Sequence, residues 1–229
     1  MNKEIKRNLI WVGIFAAAMA FVEAMAVYYL RKIYYPGGVL FPINLAITSE
    51  VIKLEWVREI ATIIMLLAVA FIAARKFKDK FAYFIYAFAV WDIFYYIWLK
   101  VALNWPAHLM DWDILFLIPT IWASPWIIPV IISIIMIILA FVLLKFPKAE
   151  IKPKEWTMLI VSAVAFLVSF VWDYAAIHLA NRGSISELTQ ALTNYVPTRY
   201  KWWLFVIGIV FAGLAICSFW KRAIKRVKN

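Results

Sequence analysis

The amino-acid sequence predicts an all-α integral membrane protein, a bundle of about six transmembrane helices with irregular, partly membrane-embedded outer connections. Three observations lead to this fold class. The chain of 229 residues is 66% hydrophobic, with a mean hydropathy of +0.85. Its apolar residues fall into six long runs, and the connections between those runs alternate between rich and poor in basic residues. We expect one transmembrane domain over residues 1–229.

The composition argues against a soluble domain. Soluble domains are roughly 45–50% apolar, and a small globule cannot hide the excess because much of its surface faces water. The 13 Trp residues fit a membrane protein, since the indole ring is favoured at the membrane–water interface. The net charge of +11 does not indicate nucleic-acid binding, because the basic residues lie between apolar runs. There they set topology and contact anionic membrane lipids.

Six apolar stretches are long enough to cross a bilayer, which takes ~20 mostly apolar residues per helix. They cover about residues 9–30, 57–74, 81–103, 126–144, 156–180 and 202–220. The first stretch follows basic residues and contains Ala16, Ala17 and Ala18, as a signal peptide would. Because it continues to Leu30, it is too long for a signal-peptide core, and we expect it to be retained as a span.

The basic residues also predict the orientation of the chain. Both termini and two short connections together carry 16 of the 24 Lys and Arg residues, and the other three connections carry 8. Because basic loops stay in the cytoplasm, both termini are predicted to be cytoplasmic. The Lys- and Ile-rich composition and the lack of organelle signals favour the plasma membrane of a prokaryote, with a multi-pass topology.

Two outer connections carry features of their own. Residues 34–38, Tyr-Tyr-Pro-Gly-Gly, form a turn signal, and Ser49 is expected to cap the helix that leads into the second span. Residues 104–125 are apolar and rich in Trp and Pro. We expect this segment to lie in the interface or to dip back toward the protein, where its backbone must be covered by protein or line a wet cavity.

Four acidic residues stand inside the apolar stretches or at their edge: Glu23, Glu59, Asp92 and Asp173. A carboxylate at mid-bilayer costs about 2.5–3.5 kcal/mol, so such residues face the bundle interior and usually have partners. In the predicted topology none of them lies in the inner half of the bundle. The sequence therefore predicts an acidic pocket in the outer half. Its carboxylates are the candidate catalytic residues for acid/base chemistry, or for handling a cation or a lipid-like substrate.

Helical spacing selects the walls of this pocket, because residues four or seven apart share one face of a helix. The third stretch contributes one such face and the fifth another: Asp92, Tyr96 and Lys100, then Ser162, Ser169 and Asp173.

A divalent metal is the possible cofactor that the sequence raises. His108 and Asp111 are three residues apart and would share a face if this piece is helical. Together with Asp113 and His178 they are candidate ligands for Zn, Fe or Mn, with carboxylates of the pocket completing the shell. No standard ligand spacing is present.

The alternative hypothesis is a non-catalytic membrane subunit or scaffold, in which the acids form structural ion pairs. Glu23 with Arg58, or Asp173 with Lys201, would neutralise the charges and hold helices together. The fourth stretch is nearly pure Ile, Leu, Val and Phe, and the last contains small residues at close-packing spacing. These two helices would then face lipid, a membrane partner or a second copy of the chain.

Several function classes are excluded by missing motifs. The single cysteine, Cys217, permits neither an intrachain disulfide nor CxxC chemistry. No Walker, dinucleotide-binding, nucleophile-elbow or HExxH motif is present, which argues against ATP-driven pumping and those hydrolases. The inner half of the spans holds few polar residues, so a complete ion path across the membrane is not predicted.

Overall fold

A computed structural model describes residues 2–38, 40–44, 46–181 and 184–228. Within these residues the chain forms seven helices and two strands. They are α1 (Lys3–Tyr34), α2 (Ser49–Ala73), α3 (Phe77–Leu103), β1 (Trp112–Phe116), β2 (Trp122–Pro125), α4 (Ile127–Lys145), α5 (Pro153–Ala180), α6 (Ile185–Asn194) and α7 (Trp202–Lys228). All of the helices except α6 are long and apolar enough to span a membrane.

Each predicted stretch overlaps one of the six long helices, and the helices extend beyond several of the predicted ends. The largest differences are the start of α2, at Ser49 and not near residue 57, and the end of α7, at Lys228 and not near residue 220. Thr48, and not Ser49 as predicted, is the N-cap of α2, and its hydroxyl accepts a hydrogen bond from the Val51 N–H at 3.4 Å. This cap satisfies a backbone donor that an exposed helix start would leave free.

The third long helix is the centre of the packing. α3 packs against α1, α2 and α4, whereas α5 packs mainly against α7. Ala16 and Ala20 of α1 are fully buried in the cluster that joins α1 and α3, because small residues one turn apart let two helix backbones approach closely. On the other side, the Ser162 hydroxyl of α5 donates to the Gly208 carbonyl of α7 at 2.7 Å.

One end of the bundle holds the start of α1 and the end of α7, and we call it the terminal end. There the Asn8 amide donates to the Ala73 carbonyl at 3.0 Å, which brings the start of α1 to the end of α2. Phe146, just after α4, packs its ring against Trp220 near the end of α7. It also accepts a hydrogen bond from Lys78 at the start of α3. The first and last helices therefore start and finish on the same side.

The opposite end, which we call the hairpin end, differs from the prediction. The segment between α3 and α4 was predicted to be irregular, but β1 and β2 pair antiparallel within it, with Asp113 opposite Ser124. The fold is therefore not purely α-helical. The pairing gives backbone N–H and C=O groups partners within the segment. A second deviation is α6, a short helix between α5 and α7.

Candidate functional site

A cavity of about 780 Å³ lies at the hairpin end. Helices α1 to α4 and the β-hairpin form most of its lining, and α5 and α6 contribute two residues each. Most of the lining side chains are apolar or aromatic, such as Leu30, Trp56 and Phe116. The volume lies in the range of pockets that bind small molecules, ~300–1,000 Å³.

Three of the four predicted acids line this cavity, and the fourth does not. Glu23 of α1, Glu59 of α2 and Asp92 of α3 are all buried and all lie in the cavity wall. Asp113 of β1, predicted as a metal ligand, joins them there. Asp173 lies outside it. Carboxylates from three helices and one strand thus meet around one space.

An arginine of α2 connects two of the carboxylates. Arg58 donates through Nε and Nη2 to Glu55 Oε2 at 2.9 and 2.7 Å, and its Nη1 pairs with Glu23 Oε2. The Thr62 hydroxyl donates to the other Glu23 oxygen at 2.5 Å. Glu55, Arg58 and Thr62 follow at three- and four-residue spacing, so α2 presents them on one face. The predicted Glu23–Arg58 pair is present.

A second ion pair joins α1 to the hairpin. The Arg31 guanidinium donates to Asp113 Oδ1 at 2.8 Å, and both side chains are buried. The guanidinium also stacks on the Trp105 ring, 3.8 Å from its centroid, and the Tyr96 hydroxyl contacts Asp113. Burial raises the pKa of the Asp113 carboxyl, and the charge of Arg31 partly offsets that rise.

The two remaining cavity acids have no ion-pair partner in the described part of the chain. Both Glu59 oxygens accept from the Leu117 N–H, at 2.9 and 3.1 Å, which ties α2 to the segment after β1. Asp92 Oδ2 accepts from the Ser133 hydroxyl of α4 at 2.9 Å. These carboxylates therefore depend on neutral donors, which leaves the cavity with more acidic than basic side chains.

The fifth helix contributes less to the site than predicted. Asp173 pairs with Lys201 Nζ at 2.8 Å, the ion pair that the alternative hypothesis named. Ser162 bonds to the α7 backbone, and the Ser169 hydroxyl bonds to the Tyr200 hydroxyl at 2.7 Å. None of the three lines the cavity. These residues hold α5 to the last connection and to α7.

The predicted wall on the third helix is only partly correct. Asp92 and Tyr96 face the cavity. Lys100, the third member of that face, is exposed and donates to the Pro106 carbonyl at 2.9 Å. The face turns out of the cavity as α3 approaches its end.

The predicted metal ligands do not form one cluster. His108 Nδ1 lies 3.6 Å from Asp111 Oδ1 on an exposed turn, and Asp111 Oδ2 caps the N–H groups of Ala107 and His108. Asp113 is paired with Arg31, and His178 lies in the cavity lining. Across residues 2–38, 40–44, 46–181 and 184–228, no three His, Cys, Asp or Glu residues are grouped to hold a metal ion.

One acid of the cavity was not singled out from the sequence, and another was assigned to a different site. Glu55 lies one turn before Glu59 on α2, and its spacing to Arg58 is a signal that could have identified it. Asp113 was assigned to a metal site because it follows His108 and Asp111 in the chain. Its contact with Arg31, 82 residues away, carries no local signal.

The fold and the cavity together define the class of this protein. It is a predominantly helical chain with six helices capable of spanning a membrane and a large cavity lined by buried charges at one end of the bundle. Comparisons with protein families, with curated proteins and with solved structures find no match to this chain.

Proposed function

We propose that the six long helices cross the plasma membrane of a prokaryote as one transmembrane domain, with both termini in the cytoplasm. The excess of Lys and Arg on the connections of the terminal end supports this orientation. The hairpin end, with its cavity, then faces the outer side. Reporter fusions to each terminus test this, because a topology with one terminus outside would contradict the proposal.

We propose further that the cavity binds an amphipathic, lipid-like molecule with an apolar tail and a cationic head. The single observation that carries this proposal is the composition of the wall: apolar surfaces surround a cluster of ionisable side chains in one space of about 780 Å³. Apolar surface binds a hydrocarbon chain through the hydrophobic effect. Polar groups placed among such surface fix the orientation of a ligand.

The charge of the cluster selects the head group. Five acids line the cavity, Glu23, Glu55, Glu59, Asp92 and Asp113, against two arginines. Both arginines are already engaged by carboxylates. Burying a carboxylate without a cation costs free energy, and a cationic ligand would reduce that cost. An anionic ligand would have to displace an existing pair.

The test compares three ligands that share one tail. Hexadecylamine, hexadecanol and hexadecanoate are titrated into the full-length protein in lipid nanodiscs, with empty nanodiscs subtracted. The proposal expects saturable binding that is tightest for the amine. Equal binding of all three, or no saturable binding of any, would contradict it.

The second candidate function is a non-catalytic subunit or scaffold, and the two ion pairs favour it. Arg58 and Arg31 each join separate elements, α2 to α1 and α1 to the hairpin, as structural charges do. In this alternative the apolar faces of α4 and α7 would contact lipid, a membrane partner or another copy. It predicts that none of the three amphiphiles binds saturably, while replacing either arginine destabilises the fold.

A further inference from the structure

One buried acid, Asp92, has neither an arginine nor a backbone N–H as its partner among the described residues. Of the five acids buried in the described part of the chain, three pair with arginine: Glu23, Asp113 and Glu155. Both oxygens of Glu59 accept from one backbone donor, the Leu117 N–H. Asp92 accepts a single hydrogen bond, which the Ser133 hydroxyl donates to Oδ2. Its Oδ1 has no hydrogen-bond donor among the described residues.

A second polar group next to Asp92, the Tyr95 hydroxyl, is also without a hydrogen-bond partner among the described residues. Tyr95 is three residues further along α3, so its side chain leaves the same face of the helix, and it too lines the cavity. Its hydroxyl lies within electrostatic range of Arg31, Arg58 and Asp113, but it makes no hydrogen bond to the described residues. Tyr96, by contrast, is occupied by Asp113.

Asp92 is therefore a buried carboxylate with one oxygen that accepts no hydrogen bond from the described residues, next to a tyrosine hydroxyl that makes none with them. Protein interiors satisfy nearly all buried polar groups, and buried charges are paired. At Glu23 and Asp113 the chain supplies the cation from its own arginines, although Asp113 Oδ2 has no hydrogen-bond partner among the described residues. At Asp92 the chain supplies hydrogen-bond acceptors but no cation. A component with a positive charge and hydrogen-bond donors would complete this arrangement, and the cavity gives it access.

We infer that Asp92, Tyr95 and Ser133 form the head-group site for a primary ammonium. The Asp92 carboxylate is the counter-ion, and the hydroxyl oxygens of Tyr95 and Ser133 accept the remaining N–H groups. A primary ammonium has three donors, which matches these three acceptors. A quaternary ammonium has the same charge and no donor, so the site discriminates against it. This inference rests on the proposed binding of a cationic amphiphile.

The decisive comparison uses two cations with the same tail. Hexadecylamine and hexadecyltrimethylammonium are titrated into the wild-type protein in nanodiscs. Hydrogen bonds to charged groups contribute enough for roughly tenfold or larger effects, so the primary amine is expected to bind at least about tenfold more tightly. Equal affinity for the two cations would overturn the head-group assignment, but it would not contradict the proposed binding of a cationic amphiphile in the cavity. The wild-type comparison also stands if a variant does not fold.

Variants then locate the site. Asp92→Asn is expected to lower amine affinity by about tenfold or more, because it removes the counter-ion, and Tyr95→Phe by a few-fold. Asp173→Asn removes a carboxylate at the same end of the bundle but outside the cavity. Tyr86→Phe removes a hydroxyl from α3 outside the cavity lining. Both controls are expected to bind as wild type.

The outcomes separate the two proposals. If the wild type binds the amine and Asp92→Asn binds it equally well, the head-group assignment is wrong and the cavity proposal survives. If the wild type binds neither cation, the proposed function itself is wrong. A loss of affinity as large in Asp173→Asn as in Asp92→Asn would also overturn the assignment, because it would be an effect of charge at a distance.

Discussion

The burial of an ion pair, and not its length, should determine how much the pair stabilises this protein. Two pairs allow a matched test, because Arg31–Asp113 and Lys201–Asp173 both join nitrogen and oxygen at 2.8 Å. The side chains of the first pair are 7% and 2% exposed, whereas those of the second are 27% and 23% exposed. Replacing each cation by Met removes the charge and keeps an apolar stem.

The expected losses differ because the partner left behind differs. In Arg31→Met the Asp113 carboxylate stays buried without its cation, which costs about 3–5 kcal/mol. In Lys201→Met the Asp173 carboxylate regains water, so the cost is about 0–1 kcal/mol. The gap of at least about 2 kcal/mol corresponds to a roughly 30-fold change in the unfolding equilibrium.

The assay is reversible unfolding of the purified protein in mixed micelles, followed by Trp fluorescence during titration with a denaturing detergent. The double variant Arg31→Met/Asp113→Asn is expected to recover much of the loss, since a neutral amide is cheaper to bury than an unpaired carboxylate. Equal losses in Arg31→Met and Lys201→Met, or no recovery in the double variant, would refute the reasoning.

Two further predictions concern helix contacts, and the same unfolding assay checks them. Gly208→Ala should cost about 1–3 kcal/mol, because a Cβ there overlaps a buried aromatic ring of α5; Gly213→Ala, with open space around it, is the control, and equal stability of the two would contradict this. Lys78→Met should cost about 3 kcal/mol, since it leaves two carbonyls at the end of α4 without their donor, and an unchanged midpoint would disprove it.

Hydrophobic length was enough to predict the spans, because crossing a bilayer requires about 20 apolar residues and leaves few alternative assignments. The spans near residues 81–103 and 126–144 agree closely with α3 and α4. The same pattern could not place the start of α2, whose first two turns mix charged and apolar residues. The local cap at Thr48 determines that start.

Most of the acids that line the cavity could be selected from the sequence, whereas their hydrogen-bond and ion-pair partners were harder to predict. The rule that buried acids face the bundle interior was enough to select Glu23, Glu59 and Asp92 for one cavity. It could not separate them from Asp173, since that choice depends on how α5 is rotated against Lys201. The β-hairpin was not predicted because its strands are short and lie in a segment rich in Trp and Pro. Such strands give a weak periodic signal next to long apolar helices. Asp113, which the sequence analysis assigned to a metal site, lies on this hairpin and pairs with Arg31.

The lining of the cavity bears on the choice between a binding site and a scaffold. Apolar walls formed by residues such as Leu30 and Phe116 surround the carboxylates in one space of about 780 Å³. Water would satisfy the carboxylates but not the apolar walls, and an acyl chain alone would satisfy the walls but not Asp92. An amphiphile with its charge beside Asp92 would satisfy both, which favours a binding site over a scaffold.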